Sequence, residues 1–205
     1  ENIHIMEFNN TEDFEGKFKR IVNIFIKAQH PNLETFVGSI EEKSSDISKP
    51  PYYAVVTKAI GEKLSDILKR AKARKPHRKD AGKPLNDNDD YRVNLKEGYR
   101  TIIAFNVAKA MAYLHSQKIT HRDLCSSNIT IDKTYNPKII NFANSRFIPD
   151  DEYLWTLKLK GNSNFRAPEF VTNYDESVDV FSFGGLLYEL LMGSPPFGKY
   201  TPKEA

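Results

Sequence analysis

The feature that most restricts this chain is the eight-residue run His121-Arg122-Asp123-Leu124-Cys125-Ser126-Ser127-Asn128. It sets an imidazole, a guanidinium, a carboxylate and an amide side by side on a short loop. Loops held between rigid elements are where binding and catalytic groups concentrate. Two further motifs follow in order: Ala167-Pro168-Glu169, then Ser177-Val178-Asp179-Val180-Phe181-Ser182-Phe183-Gly184. The last of these runs into a markedly apolar helical pattern ending near Met192.

The periodicity changes character along the chain. Ile3 to Phe8 reads as a strand. Thr11 to Gln29 has apolar residues at Phe14, Phe18, Ile21, Val22, Phe25 and Ile26, which is helical spacing, with Asn10 or Thr11 as its cap and His30-Pro31 as its stop. Leu33 to Ile40 and Tyr52 to Ile60 read as strands joined by a polar turn. Lys63 to Ala73 and Asn94 to Ser116 read as helices, the second with an apolar face of Ile102, Ile103, Phe105, Val107, Ala110, Met111 and Leu114. Lys138 to Phe142 reads as a strand, Ser145 to Asn164 as irregular, and Asp179 to Met192 as a helix buried on most sides. Strands early and helices late predict two lobes, one mixed and one mainly helical.

With 205 residues, 40% apolar and 12% aromatic, the chain can bury a core, and 28% charged residues is near the globular norm, which argues against a disordered chain. A net charge of +3 calls for neither nucleic acid nor a membrane surface. Lys69 to Lys83 carries eight Lys or Arg, and the sign reverses over Asn86 to Asp90. Residues 69–90 therefore read as a solvated, basic loop insertion. A single cysteine, Cys125, forms no internal disulfide and fits a reducing, cytoplasmic setting as a surface thiol. The most apolar run, Val180 to Met192, falls short of the roughly 18 residues of a membrane span.

The loop, the strand Lys138-Ile139-Ile140 ten residues beyond it with Asn141-Phe142-Ala143 following, Ala167-Pro168-Glu169 and the Asp179 helix resemble the protein-kinase signature set in order and spacing. The tyrosine-kinase-like group of Ser/Thr kinases is the nearest match. The resemblance implies an α+β, bilobal fold: residues 1–57 a partial small, β-rich lobe, and 58–205 a hinge and a partial, mainly helical large lobe. It places the glycine-rich loop before residue 1 and the family's last helices, with the arginine partner of Glu169, after residue 205. It also implies ATP and Mg as cofactors. Asp123 would take the substrate's hydroxyl proton, Arg122 would stand beside it and could pair with a phosphate on Thr156 or Ser163, and Asn128 would hold magnesium. The nucleotide positions would be His4, Met6, Thr57, Ala59, Ile60, Thr130 and Asn141, with Asn128 and Asn141 as the metal positions. Phe36, Phe25, Phe142, His121 and Asp179 would form a hydrophobic column through both lobes.

Several of those positions depart from the family's pattern. Met6 stands where the family has the phosphate-clamping lysine, Ile21 where it has the bracing glutamate, and Asn141 where it has the magnesium-binding aspartate. His4 replaces a small residue over the purine, and Thr130 an apolar one below it. Two functions are expected from this pattern. One is a pseudokinase acting as scaffold or allosteric partner among intracellular signalling proteins. The other is an active Ser/Thr kinase working through Asp123 and Asn128.

Overall fold

The computed structural model describes residues 3–8, 13–42, 51–58, 60–73, 97–148, 161–171 and 174–197. The first part is a three-stranded antiparallel sheet with one helix on it. Strands β1 (Ile3–Glu7), β2 (Phe36–Glu42) and β3 (Tyr52–Lys58) assemble in the order β1-β3-β2, so the most apolar strand lies in the middle. The register sets His4 opposite Thr57 and Met6 opposite Val55. Helix α1 (Phe14–Lys27) buries Phe18, Ile21, Ile24 and Phe25, one stripe at helical spacing, on the sheet side. Tyr53 of β3 meets that stripe, its ring 4.9 Å from Phe18.

The cap of α1 differs from the expectation. Asn10 and Thr11 lie outside the described residues, and the helix is capped by Asp13, which accepts from Gly16 N at 3.2 Å. Asp13 is in the left-handed region (φ 57°), which Asp tolerates better than most residues.

The second part is mainly helical: β4 (Glu62–Lys63), α2 (Leu64–Ala73), α3 (Glu97–Ser116), the short strands β5 (Ile119–Thr120), β6 (Ile129–Ile131), β7 (Pro137–Ile139) and β8 (Arg146–Phe147), then α4 (Ser177–Met192). Lys69 to Ala73 continue α2, so the charged stretch starts inside a helix; residues 74–96 lie outside the described residues. The strand expected over Lys138 to Phe142 ends at Ile139, because Asn141 turns to φ 69° and Phe142 opens a single 3-10 turn. In α3 the residues Ile103, Val107, Ala110 and Leu114 are fully buried, but Ile102 and Phe105 stand in solvent, so the apolar face is narrower than expected. In α4, Val178, Leu186 and Leu190 are buried, whereas Val180, Tyr188, Leu191 and Met192 are exposed on the opposite side.

The two parts are joined by hydrogen bonds as well as by a shared core. The segment after α1 lies along β7, with Leu33 in a parallel bridge to Ile139 and Glu34 N donating to Ile139 O at 2.8 Å. Asn32 Nδ2 donates to Pro137 O, and Lys138 Nζ donates to Pro31 O, both at 2.8 Å. Tyr113 of α3 stacks on His30, and its hydroxyl accepts from Gln29 N and donates to Lys27 O at the end of α1. No described helix is long and apolar enough to cross a membrane.

Candidate functional site

Asp179, at the start of α4, organises the loop. It is fully buried, and one oxygen accepts from His121 N at 2.7 Å and Thr120 Oγ1 at 2.9 Å, while the other accepts from Arg122 N at 2.8 Å. His115 Nε2 lies 3.1 Å away. Burial pushes the Asp179 carboxyl upward, but the His115 hydrogen bond and the His121 and backbone donors outweigh it and hold the group below its ordinary range. Arg122 is held at φ 68°, a conformation costly for a non-glycine residue, by this bond.

The expected column assembles. Phe25 stacks on Phe36 at 5.5 Å, Phe142 meets Phe25 at 5.1 Å and His121 at 5.2 Å, and His121 hangs from Asp179.

Asp123 is half-buried, and its carboxylate accepts from Asn162 N at 3.0 Å and from Asn144 Nδ2 at 3.2 Å. Gly161, at φ 81°, passes so close that a Cβ there would come within 2.8 Å of Asp123 Oδ1. Asn128 Nδ2 donates to Asp123 O at 2.8 Å, and Asn128 Oδ1 accepts from Asn141 Nδ2 at 3.0 Å. The two expected metal positions are therefore brought together, each satisfying the other.

Arg122 points away from the cleft. Its guanidinium lies over the rings of Phe170 and Tyr174, at 5.1 and 5.4 Å, and donates to Asn144 O. Arg20 of α1 and Arg146 of β8 share this region. Burial, then the neighbouring Arg146 and Arg122, lowers the Arg20 guanidinium to about 10. The Nε atoms of Arg20 and Arg122 are buried without a hydrogen-bond partner among the described residues. Ser163 is exposed at the start of a 3-10 turn, and Thr156 lies outside the described residues.

Cys125 corrects an expectation: it is buried, not a surface thiol, with Sγ 3.0 Å from Ser127 Oγ. Burial pushes its thiol up, which keeps it protonated and unreactive.

A cavity of about 610 Å³ opens between the sheet and the large lobe. His4, Met6, Ile60, Thr130, Asn128 and Asn141 line it, so six of the expected nucleotide and metal positions share one cleft. Thr57 is buried behind the lining, and Ala59 lies outside the described residues. Met6 is half-buried against the core, and Ile21 is wholly inside it.

One residue of the cleft escaped the sequence reading. Glu34, in the segment before β2, is buried at the back of the cavity. Its Oε1 accepts from Thr57 Oγ1 at 2.6 Å, and its Oε2 accepts from Asn141 N at 2.9 Å. His4 Nδ1 is 3.6 Å from Oε1. The only available signal was an acid two residues after His30-Pro31-Asn32, a pattern equally at home on a solvated strand end.

Residues 5–205 match the family described as Protein kinase domain. The chain is 30% identical over 205 residues to the serine/threonine-protein kinase CTR1 of Arabidopsis thaliana, an overlap of 98% of this chain and 22% of that protein. It is 31% identical over 198 residues to the probable serine/threonine-protein kinase kinX of Dictyostelium discoideum, covering 95% of this chain and 16% of the relative. Over 115 residues it is 38% identical to the wall-associated receptor kinase-like 18 of Arabidopsis thaliana, covering 54% of this chain and 14% of the relative. The chain spans less than a quarter of the length of each.

Proposed function

Because this chain belongs to the protein kinase family, with Ser/Thr kinases among its relatives, we propose that it is a catalytically impaired member that works as a scaffold or allosteric partner of signalling proteins inside the cell. The observation that carries this reading is the pair Met6 and Ile21. Ile21 is fully enclosed in the core beneath the sheet, and Met6 carries no charge, so these two positions cannot form the ion pair that clamps nucleotide phosphates.

The donor set around the metal positions supports the same reading. A hard cation such as magnesium binds through oxygen ligands, carboxylates above all. Asn128 has its oxygen and its nitrogen in protein hydrogen bonds, Asn141 is neutral, and the carboxylate nearest Asn141 accepts from its backbone N–H. No group of three metal-ligating His, Cys, Asp or Glu side chains occurs among the described residues. These residues do not fit a magnesium pair.

Asp123 favours the second reading, an active Ser/Thr kinase: it is in place and its carboxylate is oriented by two donors. Transfer from labelled ATP by the full-length protein decides between them. No transfer above the level of Asp123→Asn is expected; transfer that disappears in Asp123→Asn sinks the impaired reading. In either case residues 1–57 and 58–205 are read as the two lobes. Arg122, with Arg20 and Arg146, is read as a seat for a phosphate on the segment containing Ser163.

A further inference from the structure

Glu34 does more than wall the cleft. It heads a run of hydrogen bonds that leads from the three-stranded sheet to the loop. Thr57 Oγ1, on the central strand, donates to Glu34 Oε1 at 2.6 Å, and Glu34 Oε2 accepts from Asn141 N at 2.9 Å, 107 residues away in sequence. Asn141 Nδ2 donates to Asn128 Oδ1 at 3.0 Å, and Asn128 Nδ2 donates to Asp123 O at 2.8 Å. Each of these links joins two protein atoms. His4, Lys58 and Lys63 line the same cavity as Glu34, so the cleft carries both signs of charge. The bond to Asn141 needs an acceptor at Oε2 and holds however that charge is balanced.

The run divides at Asn141. This residue is at φ 69°, a conformation that is costly for a non-glycine residue and persists where neighbouring contacts impose it. Its backbone opens the 3-10 turn Phe142–Asn144, and the Phe142 ring packs against Phe25 and His121. Its side chain meets Asn128, whose own N–H and C=O are bonded to Cys125 O and Ile140 N. One bond to Asn141 N therefore bears on two branches, the aromatic column and the loop. We propose that Glu34 is a clasp: by accepting from Asn141 N it holds Phe142 in the column and Asn128 against Asp123, so that loop and column are assembled from within the chain before any ligand enters the cleft. Asn128 and Asn141, the positions that a cation would draw together in the family, are joined here by their own amides. The clasp concerns how these residues are held, and Asp123→Asn, which reads transfer, leaves it untouched.

Native-state amide exchange on the full-length protein tests it, because local opening is read residue by residue. Three hydrogen-bonded amides report: Ser145 N, bonded to Phe142 O, for the turn, and Asn128 N and Ile140 N for the loop. Glu34→Leu removes both carboxylate oxygens and keeps an apolar side chain of similar size. It is expected to speed exchange about tenfold or more at all three amides, while His121 and Arg122, which Asp179 holds, change by less than about threefold. Asn141→Gly cuts the run at its second link and suits the positive φ. It is expected to speed Asn128 and Ile140 and to spare Ser145. Glu34→Gln keeps an oxygen for Asn141 N and is expected to stay within about threefold of the natural protein throughout. Unchanged exchange in Glu34→Leu overturns the clasp, and so does an acceleration that reaches His121 and Arg122 equally, which marks general loosening. Loss of Ser145 protection in Asn141→Gly would join the two branches, and Glu34→Gln exchanging as fast as Glu34→Leu would assign the effect to charge; either overturns it. Magnesium alone, at millimolar concentration, is expected to leave the three rates of the natural protein unchanged. A slowing of about tenfold would show that a cation completes the loop, and would overturn the clasp.

Discussion

Two buried carboxylates divide this molecule. Asp179, under the loop, accepts three hydrogen bonds, two from consecutive backbone N–H groups, and has a histidine against it. Glu34, at the back of the cleft, accepts two and faces open volume. A saturated carboxylate sealed in the core is an architectural part, since its remaining chemistry is already spoken for. One at the wall of a cavity stays within reach of whatever enters it. The region around Asp179 keeps the loop, the aromatic column and α4 in the arrangement of the family. The region around Glu34 has the uncharged Met6 and Ile21 near it, and its cavity is lined by Lys58 and Lys63 as well as by Glu34.

The largest expected effect breaks the first side of this contrast. Asp179→Ala strands the His121 and Arg122 N–H groups and removes the bond that holds Arg122 at positive φ. Roughly 3–5 kcal/mol of stability should be lost, read from denaturant midpoints. Acid titration sharpens it. The folded Asp179 carboxyl titrates below its ordinary value of 3.8. The stability it contributes is complete above that value and disappears as the pH falls through it towards the folded value. Between pH 5 and pH 2 the urea midpoint of the natural protein should therefore drop more steeply than that of Asp179→Ala.

Next in size is a test of the apolar pair. Ile21→Glu places a charge in the core with nothing opposite it and should cost about 3 kcal/mol. Met6→Lys added to it should recover part of that loss, a coupling on the order of 1–2 kcal/mol, if the two positions face each other as the family's pair does. A tolerated Ile21→Glu would mean that the position is not the enclosed one seen here.

The second carboxylate should respond weakly. Glu34→Gln keeps an oxygen for one donor, and the Thr57 hydroxyl can turn to accept from the new amide. About 1 kcal/mol or less should be lost in the same assay. A loss as large as that of Asp179→Ala would erase the distinction between the two groups.

Legibility followed the same division. The loop, Asp179 and the column could be read because they are motif residues at the order and spacing of a known family, although Asp179 meets His121 from 58 residues away. Met6 could be read as a substitution by setting Ile3-His4-Ile5-Met6 on the family's V-A-I-K strand, and Ile21 by counting back from His30-Pro31. Glu34 could not. Its burial depends on Leu33 pairing with Ile139 and on Thr57 sitting behind it, contacts 106 and 23 residues apart that no local pattern records. Cys125 failed for a similar reason: a short polar loop reads as exposed, but the folded chain buries the thiol against Ser127. Ile102 and Phe105 show the limit of helical spacing, which marks an apolar arc without saying how much of it the neighbouring elements cover.

The smallest expected effect concerns the helix that carries Ile21 and Phe25. Asp13→Ala removes the acceptor for Gly16 N and leaves a residue that tolerates left-handed φ less well. The cost should be about 1 kcal/mol. Because α1 holds both the column and the enclosed Ile21, fraying from this end reaches the cleft before it reaches Asp179. Amide exchange should accordingly quicken in α1 and not at His121 or Arg122. Equal acceleration at both sites would show that the cleft and the Asp179 region unfold as one unit, and the contrast between them would then be one of chemistry alone.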